Sequence, residues 1–435
     1  MQFSGVDGQG GGSGDESAVP AEDMTVGQWI VRAARPLGTV QPSTPRDDLR
    51  PLVAMVGDAS VVGYGAGTRG AHEVFALQDR IARLLVGEAG FRVIALDQDW
   101  TLGLRLDAFV RSGLGDPREI LADAEAFTAT EEILALVRWA RAFNRDHPAD
   151  PVRVVGVSPH AVDHRAYDAV VEYVRQVAAD RIAELEDLYL DARPSGDIDA
   201  HVDRFRGLPH RAGRVERVRA AYRLVADVAA AHDESGWVVQ AARVVVQFHE
   251  LHDHDSRPED PLNMAYYEAA FAENVEWWHR HTGQKVLFWS SSSHTANARY
   301  RGFPPSPADV SRNAGSYLRE RLGTSYKSIG ITFHSGDLAT FDRRDRVHVP
   351  GASPRLFESI LGAAGLDCYL LDLSADQPPA VTDRLSRTAE FRMIGRDYGT
   401  DDDHYMTGGS AREWFDLVVH CQRVTPARTL SPLLG

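Results

Sequence analysis

With 435 residues and a mass of 47.9 kDa, the chain is long enough for one large or two ordinary domains, and 43% hydrophobic with 25% charged residues is a globular composition. The 47 basic and 62 acidic residues leave a net charge of −15, which argues against nonspecific binding to nucleic acid or to an anionic membrane. Two cysteines, Cys368 and Cys421, exclude a disulfide framework, no apolar run reaches the roughly 18–20 residues of a membrane helix, and the first residues lack the basic and apolar regions of a signal peptide; a cytoplasmic protein is expected.

Residues 1–22 are rich in Gly, Ser and acid and read as a disordered tail. The first strand is Val61-Val62-Gly63-Tyr64-Gly65, ending in a glycine loop, and the next segment puts Val74, Leu77, Ile81, Leu84 and Leu85 on one helical face. Phe91 to Asp97 is a second buried strand, closed by an acid. A helix around Glu131–Asn144 precedes a third strand from Val152 to Val157. From about Asp163 to His281 strand signals nearly vanish and helical patterns dominate, which reads as a helical insertion. Strands return at Val286–Trp289, Ser328–Phe333, Cys368–Leu373 and Leu417–Cys421, and the chain closes in a tail from Thr425. Continuous apolar runs are strands covered on both faces. The expected architecture is therefore α/β, a mostly parallel sheet flanked by helices with a large α-helical insertion. Its parts are a first half of the α/β core at 23–162, a helical insertion or substrate cap at 163–283, a second half of the core at 284–424 and a tail at 425–435.

Ligands of an open parallel sheet bind beyond the carboxyl ends of its strands, so the residues after each strand are the candidates. After the first come Gly65 to Glu73, including Arg69 and His72; after the second, Asp97-Gln98-Asp99-Trp100; after the third, Ser158-Pro159-His160. The Trp289 strand runs into Ser290-Ser291-Ser292-Ser293-His294, and the Phe333 strand into His334-Ser335-Gly336-Asp337. Carboxylates, histidines and serines recur there, as acid–base chemistry requires, although polar residues also follow strands simply because loops are polar. The glycine loop matches neither Walker A nor GxGxxG. The run His249-Glu250-Leu251-His252-Asp253-His254-Asp255 lacks HExxH and reads as a solvated helix end. The serine run lacks a GxSxG elbow, which leaves a serine nucleophile paired with His294 or His334 as one option. Asp401-Asp402-Asp403-His404 reads as a solvated acidic loop.

Taken in order, these blocks resemble the erythromycin esterase family over about residues 23 to 424. Gly65 to Glu73 with Val74-Phe75-Ala76-Leu77 resembles GE(S/A)THGTHEFFxLR, and Gly90 to Trp100 resembles GFxxVALEADW. Phe271-Ala272-Glu273-Asn274-Val275 is similar to MAENV, and Phe288 to Arg299 sits where WAHNAHxxNAR is expected. Gly315–Gly323, Gly365–Leu373 and Phe391–Gly395 complete the set. The resemblance implies a parallel α/β core with a helical insertion, and metal-independent, cofactor-free hydrolysis of a macrolactone ester by a histidine base assisted by glutamates.

The sequence departs from that pattern at several positions. The first-block glutamate falls on Ala66, the putative histidine base on Arg69, and the arginine after the Phe-x-Leu run on Gln78. The second-block glutamate is Asp97, the first histidine of WAHNAH is Ser291, and the arginine upstream of MAENV is Tyr267. His294, His72 and Glu73 match. Arg69 cannot act as a base, because a guanidinium stays protonated. The expected catalytic set is therefore Asp97, His294, His72 and His334, with Arg69, Glu73, Asp99, Ser291 and Tyr267 contacting substrate and no metal ligands. The expected function is a diverged esterase-like enzyme of specialised metabolism, acting on an ester, lactone or thioester of polyketide or macrolide type with rewired residues. The alternatives are a non-hydrolytic cyclase, lyase or isomerase on the same scaffold, and a non-catalytic small-molecule binder. The expected partner is a small-molecule substrate, with neither nucleic acid nor membrane.

Overall fold

A computed structural model describes residues 21–194, 198–208, 211–232, 236–253, 261–341 and 345–430. The N-terminal tail up to residue 20, the loop positions 195–197, 209–210 and 257–260, and the end of the C-terminal tail from 431 lie outside the described residues. The strands are β1 (Arg35–Pro36), β2 (Val61–Ala66), β3 (Phe91–Leu96), β4 (Arg153–Gly156), β5 (Lys285–Ser291), β6 (Tyr326–Ala339), β7 (Arg346–Val349), β8 (Cys368–Asp372), β9 (Thr388–Arg392), β10 (Tyr405–Ser410) and β11 (Leu417–Val424).

Among the described residues, the main sheet runs β1-β8-β11-β6-β2-β5-β3-β4, with β7 against β6. The contacts from β11 through β4 are parallel, while β1–β8, β8–β11 and β6–β7 are antiparallel. The mostly parallel sheet read from the apolar runs is therefore present. Neighbouring residues of the central strands enter different cores: Tyr64, Ile94, Leu287 and Ile331 join one, whereas Val61, Val93, Val286 and Phe288 join the other. This is the two-sided burial that continuous apolar strands require. Between β4 and β5 the described chain is helical, from His164–Val177 to Pro261–Thr282, and its apolar faces fill the second core. No helix among the described residues is long and apolar enough to cross a membrane.

Two glycines bring the ends of the parallel strands close to their neighbours. A Cβ on Gly65 would lie 2.1 Å from the Thr295 hydroxyl and 2.5 Å from the Ser292 Cα, so the turn Ser292–Thr295 sits directly on β2. A Cβ on Gly103 would lie 1.8 Å from the Gly156 amide nitrogen, so helix Trp100–Ser112 presses its backbone onto β4 just after Asp97.

Four local readings are corrected. β6 does not stop at Phe333: it continues to Ala339, because β11 and β7 pair with its second half. His334 and Asp337 are therefore strand residues and not loop residues. The run at His249 and His252 is not a solvated helix end, since both rings are buried. The Tyr167 hydroxyl bonds His249 Nε2 at 2.9 Å, and His252 Nε2 lies 3.1 Å from the His160 carbonyl; His254 and Asp255 lie outside the described residues. Asp401 is buried and not solvated, gripping the Arg392 guanidinium through both oxygens at 2.8 Å. The stretch 425–430, read as a tail, is bound: Ala427 N–H donates to the Gly70 carbonyl and Leu430 N–H to the Ala129 carbonyl.

The close approach at Gly103 yields a stability test. Gly103→Ala is expected to destabilise the fold by at least about 2 kcal/mol through overpacking against backbone that cannot retreat. Urea denaturation checks it, and a change within about 0.5 kcal/mol would show that helix and strand separate easily.

Candidate active site

The carboxyl ends of β2, β3, β4 and β5 deliver Arg69, Asp97, Ser158 and Ser290, and the turn after β5 delivers His294. Parallel register sets Leu96 beside Trp289 and Gly65 beside Ser290, so the residues following β3 meet the end of β5. There the Ser290 hydroxyl donates to Asp97 Oδ2 at 2.8 Å. Arg69 Nη2 donates to the same carboxylate oxygen and, at 3.2 Å, to Ser290 Oγ. The guanidinium also lies 3.9 Å from the centre of the Phe127 ring, a cation–π contact that fixes its plane. Burial pushes the Asp97 carboxyl up, but Arg69, His294 and the Ser290 hydroxyl more than offset this and hold it below its ordinary value. Beneath the group lies a cavity of about 20 Å³, lined by Arg69, Gln78, Asp97, Thr128 and Ser290 among others, room for about one water.

His294 carries the second half of the site. Its Nδ1 lies 2.8 Å from Glu268 Oε1 and its Nε2 lies 4.0 Å from Asp97 Oδ2. Glu268 has no solvent exposure. It accepts from Arg301 Nη1 at 2.7 Å and from the Ala314 amide at 2.8 Å. Burial raises the Glu268 carboxyl, and His294 and Arg301 bring it below its ordinary value, so it stays ionised. An imidazole bound through Nδ1 to a carboxylate has its tautomer and ring plane set and presents Nε2 to the cleft. Phe271 and Tyr267 hold the ring from its sides, with centroids 5.3 and 5.7 Å away.

Glu125 is a second acid beside Asp97. The loop that carries it is tied to the end of β3 through Gln98, whose side-chain amide donates to the Asp97 carbonyl at 2.8 Å while its oxygen accepts from the Glu125 amide at 3.3 Å. Burial raises the Glu125 carboxyl above its ordinary value; His160, Arg69 and Arg396 oppose that and the Asp97 charge adds to it. Asp97 and Glu125 are thus neighbouring carboxyls pushed in opposite directions.

Of the residues read from the sequence, the structure brings together Asp97, Arg69, His294 and Tyr267. The Tyr267 hydroxyl lies 3.2 Å from Ser158 Oγ. Ser291 is buried and bonds Ser293 within its own turn. The other residues have different partners. Asp99 caps helix Trp100–Ser112, accepting from the Thr101 and Leu102 amides at 2.8 and 3.0 Å. His72 Nδ1 is 2.7 Å from Glu132 Oε1, which also holds Arg428, and Glu73 accepts from the Thr425 amide and hydroxyl. Both therefore bind the C-terminal stretch to the first core helix, His72–Ala89. His334 lies among Glu358, Arg392 and Asp401, with Nδ1 3.4 Å from the Glu358 carbonyl.

Sequence reasoning missed Glu268, Arg301 and Glu125 as site residues and, within the serine run, chose Ser291 where Ser290 is the residue bonded to Asp97. Glu268 carried a usable signal, because it shares one helical face with Phe271, Ala272 and Val275, all fully buried, and an acid on an apolar face needs a buried partner. Gln78, where the resemblance places an arginine, bridges the Tyr64 and Ser290 carbonyls at 2.8 and 3.2 Å. Among the described residues, no group of three or more His, Cys, Asp or Glu side chains is arranged to hold a metal ion.

The fold is a mostly parallel α/β sheet with a cluster of acid, base and hydroxyl groups at its strand ends. Comparison with known proteins narrows the class: the family model described as erythromycin esterase matches residues 86–424. The chain belongs to the erythromycin esterase family, membership that suggests an esterase-like hydrolase. The match starts inside helix His72–Ala89, after the loop that carries Arg69. The erythromycin esterase type II of Escherichia coli is 25% identical over 122 residues, which is 28% of this chain and 29% of that protein's length. A protein of known structure from Bacillus cereus is 25% identical with a TM-score of 0.84, covering 95% of this chain and 100% of that one. A succinoglycan biosynthesis protein shares the fold at 24% identity and a TM-score of 0.82, with the same coverage. So does an erythromycin esterase mutant, EreC, in its open conformation, at 14% identity and a TM-score of 0.66, covering 91% of this chain and 97% of that one.

The cluster around His334 makes a pH-dependent prediction. Glu358 is fully buried, with one oxygen accepting from the Arg392 amide at 2.9 Å and the other unpaired. Burial pushes it up to about 7 from 4.5, against the pull of Arg392, with the Asp401 charge adding to the rise. A carboxyl raised by folding stabilises fully below its unfolded value, and that contribution is lost as pH rises through its folded value. About 3 kcal/mol should therefore disappear between about pH 4.5 and 7. Glu358→Gln is expected to flatten this loss and to exceed the native protein in stability at pH 8, by urea denaturation; an unchanged pH slope would refute it.

Proposed function

We propose that this protein is a hydrolase of an ester or lactone of macrolide or polyketide type, in which His294 is the general base. The observation that carries the reading is the His294 ring, bound at Nδ1 to the buried, ionised Glu268, with Nε2 directed toward Asp97 across 4.0 Å. That separation exceeds a direct hydrogen bond and is one that a water or a substrate oxygen can bridge.

In this reading, His294 Nε2 takes a proton from the attacking water while the water oxygen adds to the ester carbonyl. Arg69 stands where the family pattern has its histidine, and it faces the negative charge that develops on the carbonyl oxygen. Asp97, kept ionised, anchors Arg69 and Ser290. Glu125, shifted toward its protonated form, gives its proton to the departing alkoxide as the carbon–oxygen bond breaks. The product acid leaves, and His294 and Glu125 return to their starting protonation through solvent. Side chains handle each proton and charge in this scheme without a metal, and the family's erythromycin esterases favour a large lactone of specialised metabolism as substrate.

The test is mass spectrometry of reactions in ¹⁸O-labelled water with macrolactones, simple esters and thioesters. One labelled oxygen is expected in the acid product, and His294→Ala is expected to lower kcat by about 10²–10⁴-fold with folding intact. Undiminished label incorporation by that variant would remove His294 from the mechanism. Conversion without label would mean elimination or rearrangement, and retention of ligand without conversion would mean a carrier.

A finer expectation concerns the second acid. Glu125→Gln should cost about tenfold or more on an alkyl ester and little on a 4-nitrophenyl ester, whose leaving group needs no proton. In the native enzyme, kcat/KM for the alkyl ester should fall as pH rises through a value above the ordinary glutamate range. Equal losses on both esters would assign Glu125 to positioning instead.

A further inference from the structure

Cys368 opens β8 and Cys421 lies in β11, 53 residues further along the chain. The two strands run antiparallel, and these residues stand directly opposite each other. Two backbone bonds identify the type of pair. The Gln422 amide donates to the Asp367 carbonyl at 2.7 Å, so the adjacent pair is the hydrogen-bonded one. The Cys368 carbonyl points the other way and accepts from Leu37 beside β1 at 2.8 Å. Cys368 and Cys421 are therefore a non-hydrogen-bonded pair, the narrow kind with Cα atoms about 4.5 Å apart and side chains in contact. That spacing lies within the range a disulfide spans. The sulfur atoms are 2.8 Å apart, and both thiols are free. Neither group takes part in the Asp97–His294 site.

We propose that Cys368 and Cys421 are an oxidation site, forming a reversible cross-strand disulfide when the protein meets a hydroperoxide or a small disulfide-forming oxidant. With a hydroperoxide, one thiolate attacks the peroxide oxygen, giving a sulfenic acid and releasing an alcohol, or water from hydrogen peroxide. The second thiol then attacks that sulfur and expels water. Two thiols lose two electrons and two protons, and the peroxide takes up both. A dithiol reverses the step by exchange.

The surroundings set the rate and the consequence. Cys368 and Cys421 are 7% and 2% exposed. The hydrogen bond that the Cys421 thiol donates to Cys368, reinforced by burial and by the charge of Glu73, pushes the Cys421 thiol up, so little thiolate is present and oxidation is slow. Among the described residues, the outer edge of β8 pairs with the two residues of β1, and Leu37 beside them caps the Cys368 carbonyl. Once formed, the bond joins β11 to β8 four residues before Thr425, whose amide and hydroxyl hold Glu73 at the start of the first core helix. Oxidation therefore locks the strand that leads into the C-terminal strap.

The experiment treats the folded full-length protein with hydrogen peroxide and, separately, with diamide, followed by intact mass spectrometry and thiol titration under denaturing conditions. The expected result is a monomer lighter by two hydrogens, a fall from two titratable thiols to none, full reversal by dithiothreitol, and a Tm several degrees above that of the reduced protein. Cys368→Ala and Cys421→Ala should each abolish the mass loss. Two thiols persisting under conditions that oxidise exposed cysteines would overturn the proposal. So would oxidation that yields only sulfinic acid, mixed disulfides or cross-linked dimers, or a disulfide that lowers Tm. The readouts use native protein and no substrate, so they stand apart from the fate of the hydrolase reading.

Discussion

Glu268 is an ionised carboxylate with no access to water, and much of the candidate site is arranged to make that tolerable. Removing a carboxylate from water costs several kcal/mol unless its lone pairs are met by donors and its charge by a cation. Arg301, equally buried, supplies the cation, and His294 and the Ala314 amide add two further hydrogen bonds. Arg301 is anchored in turn by the Ser293 carbonyl and the Ser311 hydroxyl. One buried charge thereby joins the last helix of the helical segment, the exit of β5 and the start of helix Ala314–Leu322. The orientation of His294 follows from satisfying Glu268.

The Arg69–Asp97 pair solves a neighbouring problem differently. A guanidinium in the place of a base removes proton acceptance and adds a permanent cation. Left alone in a half-buried cleft, that cation would be costly; Asp97 neutralises it and Phe127 covers its face. Asp97 is one methylene shorter than the glutamate of the family pattern, and its carboxylate contacts Arg69 and Ser290 while His294 remains at 4.0 Å. At the second carboxyl, Glu125, burial prevails over the opposing charges of His160, Arg69 and Arg396. Two acids a short distance apart thus take opposite protonation preferences from their surroundings.

The legible parts of the fold were those with local signals. β2, β3, β4, β5, β8 and β11 read from apolar runs to within a few residues, because two-sided burial leaves its mark on every position of a strand. β7, β9, β10 and the second half of β6 did not, because Gly336, Asp337 and their neighbours are extended only through pairing with another segment. The same distinction runs through the site. Asp97, Arg69 and His294 followed from the rule that ligands gather beyond strand ends and from the family blocks. His334 followed the same rule from a strand end that does not exist. Asp99 and Glu73 sat in the right blocks and became a helix cap and a chain clamp, since a carboxylate near backbone N–H groups is captured by them wherever the chain brings them close.

The sequence by itself determined the alternation of helix and strand, the long helical segment between the two groups of strands and the family, because side-chain periodicity and block order survive in a linear reading. Only the tertiary structure decided that Glu268 holds His294, that His72 turns to Glu132 and that Cys368 faces Cys421. These are contacts between residues 26, 60 and 53 positions apart. Desolvation and hydrogen-bond satisfaction act on a group through everything packed around it, and that surrounding exists only once the chain has closed on itself.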